Sequence, residues 1–178
     1  MNTDFKKQWF VLYTRPGCEK KIAELLEKKN VVTYCPQSRK QKLWSDRKKI
    51  VLHPLFRSYV FVFTTPDEHK LIKQIDGVVN FIHWLSKPAV IRQEEIDTIK
   101  TFLKEYEFVK LEKTAINLND RVRIVNGPLM MWEGAVVEIR TSTVKIILPS
   151  LGYALVAEIS KDNADSVMSL QEIKMNAG

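Results

Sequence analysis

PLFRSYVFVF, residues 54–63, is the stretch that decides how this chain is read. Phe56, Tyr59, Phe61 and Phe63 crowd into it, with β-branched Val60 and Val62 between them. Aromatic and β-branched residues favour strands, and successive strand side chains point to opposite faces. Tyr59, Phe61 and Phe63 therefore share one face, and Val60 and Val62 take the other. One apolar face fills a core. A second apolar face on a small domain needs a covering layer or a partner.

Working outward, Trp9–Thr14 (WFVLYT) reads as a buried first strand, broken by Pro16 and Gly17. Ile22, Leu25 and Leu26 recur at helical spacing within Glu19–Lys29, which predicts an amphipathic helix. Val31–Cys35 is a short strand stopped by Pro36, and Ile50–His53 can return as another. Thr65-Pro66-Asp67-Glu68 carries the signature of a helix start, with a capping box and proline at the first helical position. Gly77 suits the end of that helix. Val78–Trp84 and Ala89–Ile91 read as strands, and Glu94–Glu107 as a third helix.

Residues 108–117 change character and are expected to be a linker between residues 1–107 and 118–178. Beyond it, Arg121–Val125, Ala135–Arg140, Thr143–Leu148 and Ala154–Ile159 read as short, closely spaced strands without helices, a pattern of small barrels. A further short strand in the tail would make five. The expected fold class is α+β: a mainly antiparallel sheet with packed helices, then a small SH3-like β-barrel.

The net charge of +7 is unevenly placed. Residues 115–178 hold six Lys/Arg against seven Asp/Glu, so the rest of the chain carries +8. Such asymmetry implies different partners for the two parts. Arg39, Lys40, Lys42, Arg47, Lys48 and Lys49 face only Asp46 in a basic, hairpin-like stretch, with Trp44 among them. Cations around an aromatic suit phosphate contact and base stacking on a single strand; the competing reading is a solvated, mobile hairpin. Cys18 and Cys35 make no disulfide framework, and no His, Cys or acid spacing marks a metal site or nucleophile. A structural role is expected for both cysteines, with no cofactor and no enzymatic activity. The apolar runs are strand-length and the N-terminus has no signal pattern, so a cytoplasmic protein without membrane contact is expected.

Taken in order, WFVLYTRPGCEKK at 9–21, WSDRKKI at 44–50, PLFRSYVFVF at 54–63 and DRVRIVNGPLMMWEGAVVEI at 120–139 resemble the NusG family of transcription elongation factors. The last is similar to a KOW motif. Within the family the chain looks closest to UpxY-like paralogues of capsular polysaccharide operons. The resemblance implies an NGN domain that binds the clamp helices of RNA polymerase, and a KOW domain that binds other factors. It puts Tyr13, Phe56, Tyr59 and Phe61 where family members form the apolar pocket for those helices. The alternative for these four aromatics is core packing.

Non-template DNA or nascent RNA is the implied target of the basic stretch, and a ribosomal protein or Rho that of the KOW domain. Arg57-Ser58 departs from the family's usual proline and small residue. Glu68-His69-Lys70 stands where operon-specific members can carry a His-Thr-rich stretch for the polymerase gate loop. Met130, Met131 and Trp132, extended by Ile146, Leu151 and Tyr153, form a candidate adaptable docking surface on the KOW domain; core burial is the alternative. The leading function is thus a monomeric, operon-specific antiterminator. Its rival is a KOW-type RNA- or ribosome-binding protein without polymerase contact.

Overall fold

The computed structural model describes residues 6–44, 47–113, 137–140 and 143–158, which fall into two units divided between Leu103 and Lys104. In the first unit, β1 (Gln8–Thr14) is the centre of a five-stranded antiparallel sheet. β5 (Tyr59–Thr64) pairs with one edge of β1, with Trp9 opposite Phe63, Val11 opposite Phe61 and Tyr13 opposite Tyr59. β2 (Val32–Tyr34) lies outside β5. β6 (Val78–Phe81) and β9 (Val90–Ile91) share the other edge of β1, end to end.

Strand alternation then gives the sheet two apolar faces. Phe10, Leu12, Val60 and Val62 point one way and pack with Ile22, Ala23 and Leu26 of α1 (Glu19–Glu27), Ile72 of α2 (His69–Ile72) and Phe81. The capping box forms ahead of α2. The Glu68 carboxylate accepts the Thr65 N–H at 3.0 Å and the Thr64 hydroxyl at 2.6 Å, and those bonds hold its pKa down. Gly77 ends the segment at φ +92°, the left-handed region where glycine carries no Cβ penalty.

The second face carries Trp9, Val11, Phe61 and Phe63, and α3 (Gln93–Glu105) lies against its Trp9 end. Trp9 Nε1 donates to Gln93 Oε1 at 2.7 Å, and Lys100 Nζ sits over Trp9 and Tyr34 at 5.9 and 5.4 Å. Ile96, Ile99 and Phe102 supply the buried stripe of this helix.

Two hairpins stand apart from the sheet. β3 (Gln37–Trp44) pairs with β4 (Arg47–Pro54) over their full length, so the basic stretch is a regular two-stranded ribbon. β7 (His83–Trp84) and β8 (Lys87–Pro88) form a second, minimal one. It interrupts the continuous Val78–Trp84 strand expected from the sequence. Leu85 and Ser86 turn the chain at φ +48° and +64°, a conformation rarely taken by residues other than glycine, and with no glycine at either position the sequence does not signal the turn.

The second unit contains a four-stranded antiparallel sheet, β10 (Val109–Lys113), β13 (Tyr153–Glu158), β12 (Thr143–Leu148) and β11 (Val137–Arg140), in that spatial order. Half of the expected linker, Val109–Lys113, is therefore a strand. Val109–Lys113 pairs residue for residue with Tyr153–Ala157, and Lys110 and Glu112 form cross-strand ion pairs with Glu158 and Lys145. The expected strand Arg121–Val125 and the residues that would close a five-stranded barrel lie outside the described residues. Among the described residues, no helix is long and apolar enough to cross a membrane.

Candidate functional site

The aromatic cluster is built from the turn before β5. Ser58 sits at φ +66°, and its N–H donates to Oε1 of Glu19 at 2.7 Å while its carbonyl accepts the Thr14 N–H at 2.8 Å. Glu19, the first residue of α1, is buried. A buried carboxylate is tolerated when it accepts such a bond, and here it fixes the turn that orients Phe56 and Tyr59. The sequence reading missed this positioning residue; an acidic side chain opening a helix carries no signal that it reaches a turn far along the chain.

The four candidate aromatics come together but are not equivalent. Phe56 meets Phe61 edge-on with centroids 5.3 Å apart, and Tyr13 meets Tyr59 at 6.2 Å and 71°. Phe56 and Phe61 are 2% and 0% exposed, whereas Tyr13 is 41% exposed and Tyr59 half-buried. Phe56 and Phe61 are thus core residues. Phe61 is closed in because Val11 pairs beside it, Phe56 caps it and Tyr34 flanks it. At the opposite end of the same face, α3 seals Trp9, leaving it 6% exposed. The covering layer of the second apolar face therefore protects one end and leaves the tyrosine end open.

The β3–β4 ribbon brings the candidate basic residues onto defined faces. Paired residues share a face of an antiparallel ladder. Trp44 pairs with Arg47, Lys42 with Lys49 and Lys40 with Val51, so Lys40, Lys42, Trp44, Arg47 and Lys49 lie on one face. Lys49 Nζ stands 5.9 Å from the Trp44 ring, a cation–π contact that fits this placement. Arg39 and Lys48 lie on the other face. All seven are exposed. A strip of cations with an exposed indole can hold phosphates and stack a base.

Comparison with known proteins shows which family the chain is similar to. The family model described as transcription termination factor nusG matches residues 7–100. The chain belongs to the NusG family. The transcription termination/antitermination protein NusG of Streptococcus pyogenes serotype M3 is 30% identical over 173 residues, spanning 89% of this chain and 96% of that protein. NusG of Bacillus subtilis is 26% identical over 180 residues, spanning 91% and 99%. A solved structure of Thermotoga maritima NusG is 20% identical with a TM-score of 0.48, covering 87% of this chain and 98% of that one. The sheet-rich, mixed α/β first unit is the NGN-type fold of the NusG family.

In the second unit of this NusG-family chain, Met130, Met131 and Trp132 lie outside the described residues. Leu151 and Tyr153 are half-buried. Ile146 is 0% exposed and Ile147 5%, so neighbouring side chains on opposite faces of β12 are both buried. Ile146 is therefore core and offers no docking surface. The cysteines are half-buried and free, and both pack against the first unit's core. Burial, then the charge of Glu19, pushes the Cys35 thiol up to about 11, away from the thiolate a nucleophile requires.

Proposed function

We propose that this NusG-family chain is an operon-specific elongation and antitermination factor that acts by binding RNA polymerase. The observation that carries this reading is the Tyr13–Tyr59 pair: two rings in register on adjacent strands, open at the end of the sheet face that α3 leaves uncovered. Tyrosine is enriched among interface anchors because it brings large area with few rotatable bonds. By family resemblance, the occupant is the pair of clamp helices of the polymerase. Phe56 and Phe61, buried in the core, do not touch the partner.

The basic ribbon contacts the non-template DNA strand or nascent RNA. The second unit, near-neutral by sequence, binds a protein rather than nucleic acid, and the family suggests a ribosomal protein or Rho. Tethering that module raises its partner's effective concentration at the transcript. An adaptor touching two parts of the polymerase stabilises the elongating state by binding it more tightly than the paused one. No covalent step is required. The operon served is one for polysaccharide biosynthesis, as in the UpxY-like branch. Deleting the gene is expected to lower distal transcripts of one operon more than proximal ones; equal loss of both would indicate control of initiation and overturn the reading.

A further inference from the structure

The β3–β4 ribbon has a second face that phosphate contact does not use. On the side opposite Trp44, Leu43 pairs with Lys48, Gln41 with Ile50 and Arg39 with Leu52. Leu43, Ile50 and Leu52 thus form a diagonal apolar stripe, and they are 74%, 50% and 62% exposed. Arg39 and Lys48 flank it. The ribbon belongs to no larger sheet. Its two faces therefore differ in kind: one presents four cations and an indole, the other three aliphatic side chains between two cations.

A solvated hairpin has no reason to sort its side chains this way. A ribbon that only held nucleic acid would gain from cations on both faces, since affinity grows with each phosphate neutralised. Contiguous exposed aliphatic side chains mark a protein contact, and the flanking Arg39 and Lys48 select carboxylates at its edge.

We infer that the Leu43/Ile50/Leu52 face docks on a protein surface, apolar at its centre and edged with carboxylates, that lies beside the nucleic-acid strand held by the opposite face. The ribbon is then a wedge between strand and protein, with each face carrying one partner. The inference rests on the proposed polymerase and nucleic-acid contacts, since the protein surface is that of the transcribing polymerase. It follows that the two faces fail independently.

The test uses the full chain and two probes: a fluorescent 20-mer oligodeoxythymidylate, a length of roughly one to a few binding sites, and an elongation complex assembled from the host's RNA polymerase on a nucleic-acid scaffold. Replacing Leu43, Ile50 and Leu52 together by Thr keeps strand propensity. This variant is expected to bind the oligonucleotide as the parent does, which also reports an intact ribbon, and to bind the elongation complex about tenfold more weakly, a typical loss for a modest anchor set. The single variant Leu43→Thr, near the ribbon's tip, should show the same split to a smaller degree. Replacing Lys40, Lys42 and Lys49 by Gln should weaken oligonucleotide binding directly.

Unchanged binding of the Thr variant to the elongation complex overturns the inference. Equal loss on both probes in both apolar variants also overturns it, because the faces then act as one surface. A concentration-dependent dimer of the parent that the Thr variant abolishes would assign the face to a second copy and overturn it as well. If the parent itself does not bind the elongation complex, the proposed function fails first, an outcome distinct from these.

Discussion

The central sheet and the β3–β4 ribbon are built from the same strand alternation and reach opposite ends. In the sheet both faces are apolar and both are covered: Phe10, Leu12, Val60 and Val62 by α1 and α2, and Trp9 and its neighbours by α3. The cover stops at Tyr13 and Tyr59, and at the sheet's edge at Val32, which pairs with Phe63. In the outer part of the ribbon neither face is covered, and alternation sorts cations from aliphatics instead. Burial makes most of the sheet's aromatics structural and leaves a small remainder for contact. Exposure leaves the outer part of the ribbon, 40–44 and 47–50, at the surface. An aromatic residue in the first region is therefore informative only where it remains open, whereas in the second its face decides its role.

The sharpest way to break this contrast is to truncate one large apolar residue in each region. Phe61→Ala, in the sealed part of the sheet, should lower unfolding free energy by about 3–5 kcal/mol in urea denaturation. Leu52→Ala, on the open ribbon, should stay within about 0.5 kcal/mol of the parent. Comparable losses would mean that the ribbon packs against something in solution.

A smaller effect separates the ribbon's two faces by salt. Lys40→Gln, Lys42→Gln and Lys49→Gln together should flatten the slope of log affinity against log salt for single-stranded DNA by about 2, near 0.7 per lost phosphate contact. An unchanged slope would return the basic stretch to the solvated reading.

The smallest effect concerns the sheet's α2 side. His69 stacks on Phe81 with centroids 3.8 Å apart and meets Phe10 edge-on at 4.5 Å, with Nε2 buried and unpartnered. Burial, with Lys73 and His83 nearby, lowers its pKa from 6.5, against an opposing pull from Glu68. The folded state thus takes up its proton at lower pH than the unfolded state does. Stability is fully present above about 6.5 and falls as the pH drops below it. Urea midpoints at pH 7.5 and 5.5 should differ accordingly, and His69→Phe should reduce the difference. An identical pH dependence in that variant would place the acid sensitivity elsewhere.

Much of this was legible in the sequence, and the failures have physical causes. β1, α1, β5 and the Thr65–Glu68 cap follow from short-range patterns: apolar spacing, β-branched residues and a capping box. The turn at Leu85-Ser86 did not, because neither residue advertises a positive φ. Val109–Lys113 looked like a linker because its alternating charges are those of an exposed edge strand, and only pairing with β13 reveals it. The aromatic set was found as a group, but which members are open depends on the packing of Phe56, Val11 and Tyr34 around Phe61, and no local pattern encodes that packing. Ile146 was left open between docking surface and core, and its burial depends on what packs over β12, which the strand's own residues do not encode. The basic ribbon was seen as charge, while its two faces depend on a register set by the pairing of Trp44 with Arg47.

The central claim is that the open tyrosine end of the sheet, not the sealed aromatic core, is the polymerase-docking surface. It is tested most directly by measuring the affinity of the full-length Tyr13→Ala/Tyr59→Ala variant for core RNA polymerase, with thermal unfolding confirming a folded protein. The account predicts a loss of about 2 kcal/mol or more, roughly thirtyfold. A folded double variant that binds polymerase as tightly as the parent would contradict it.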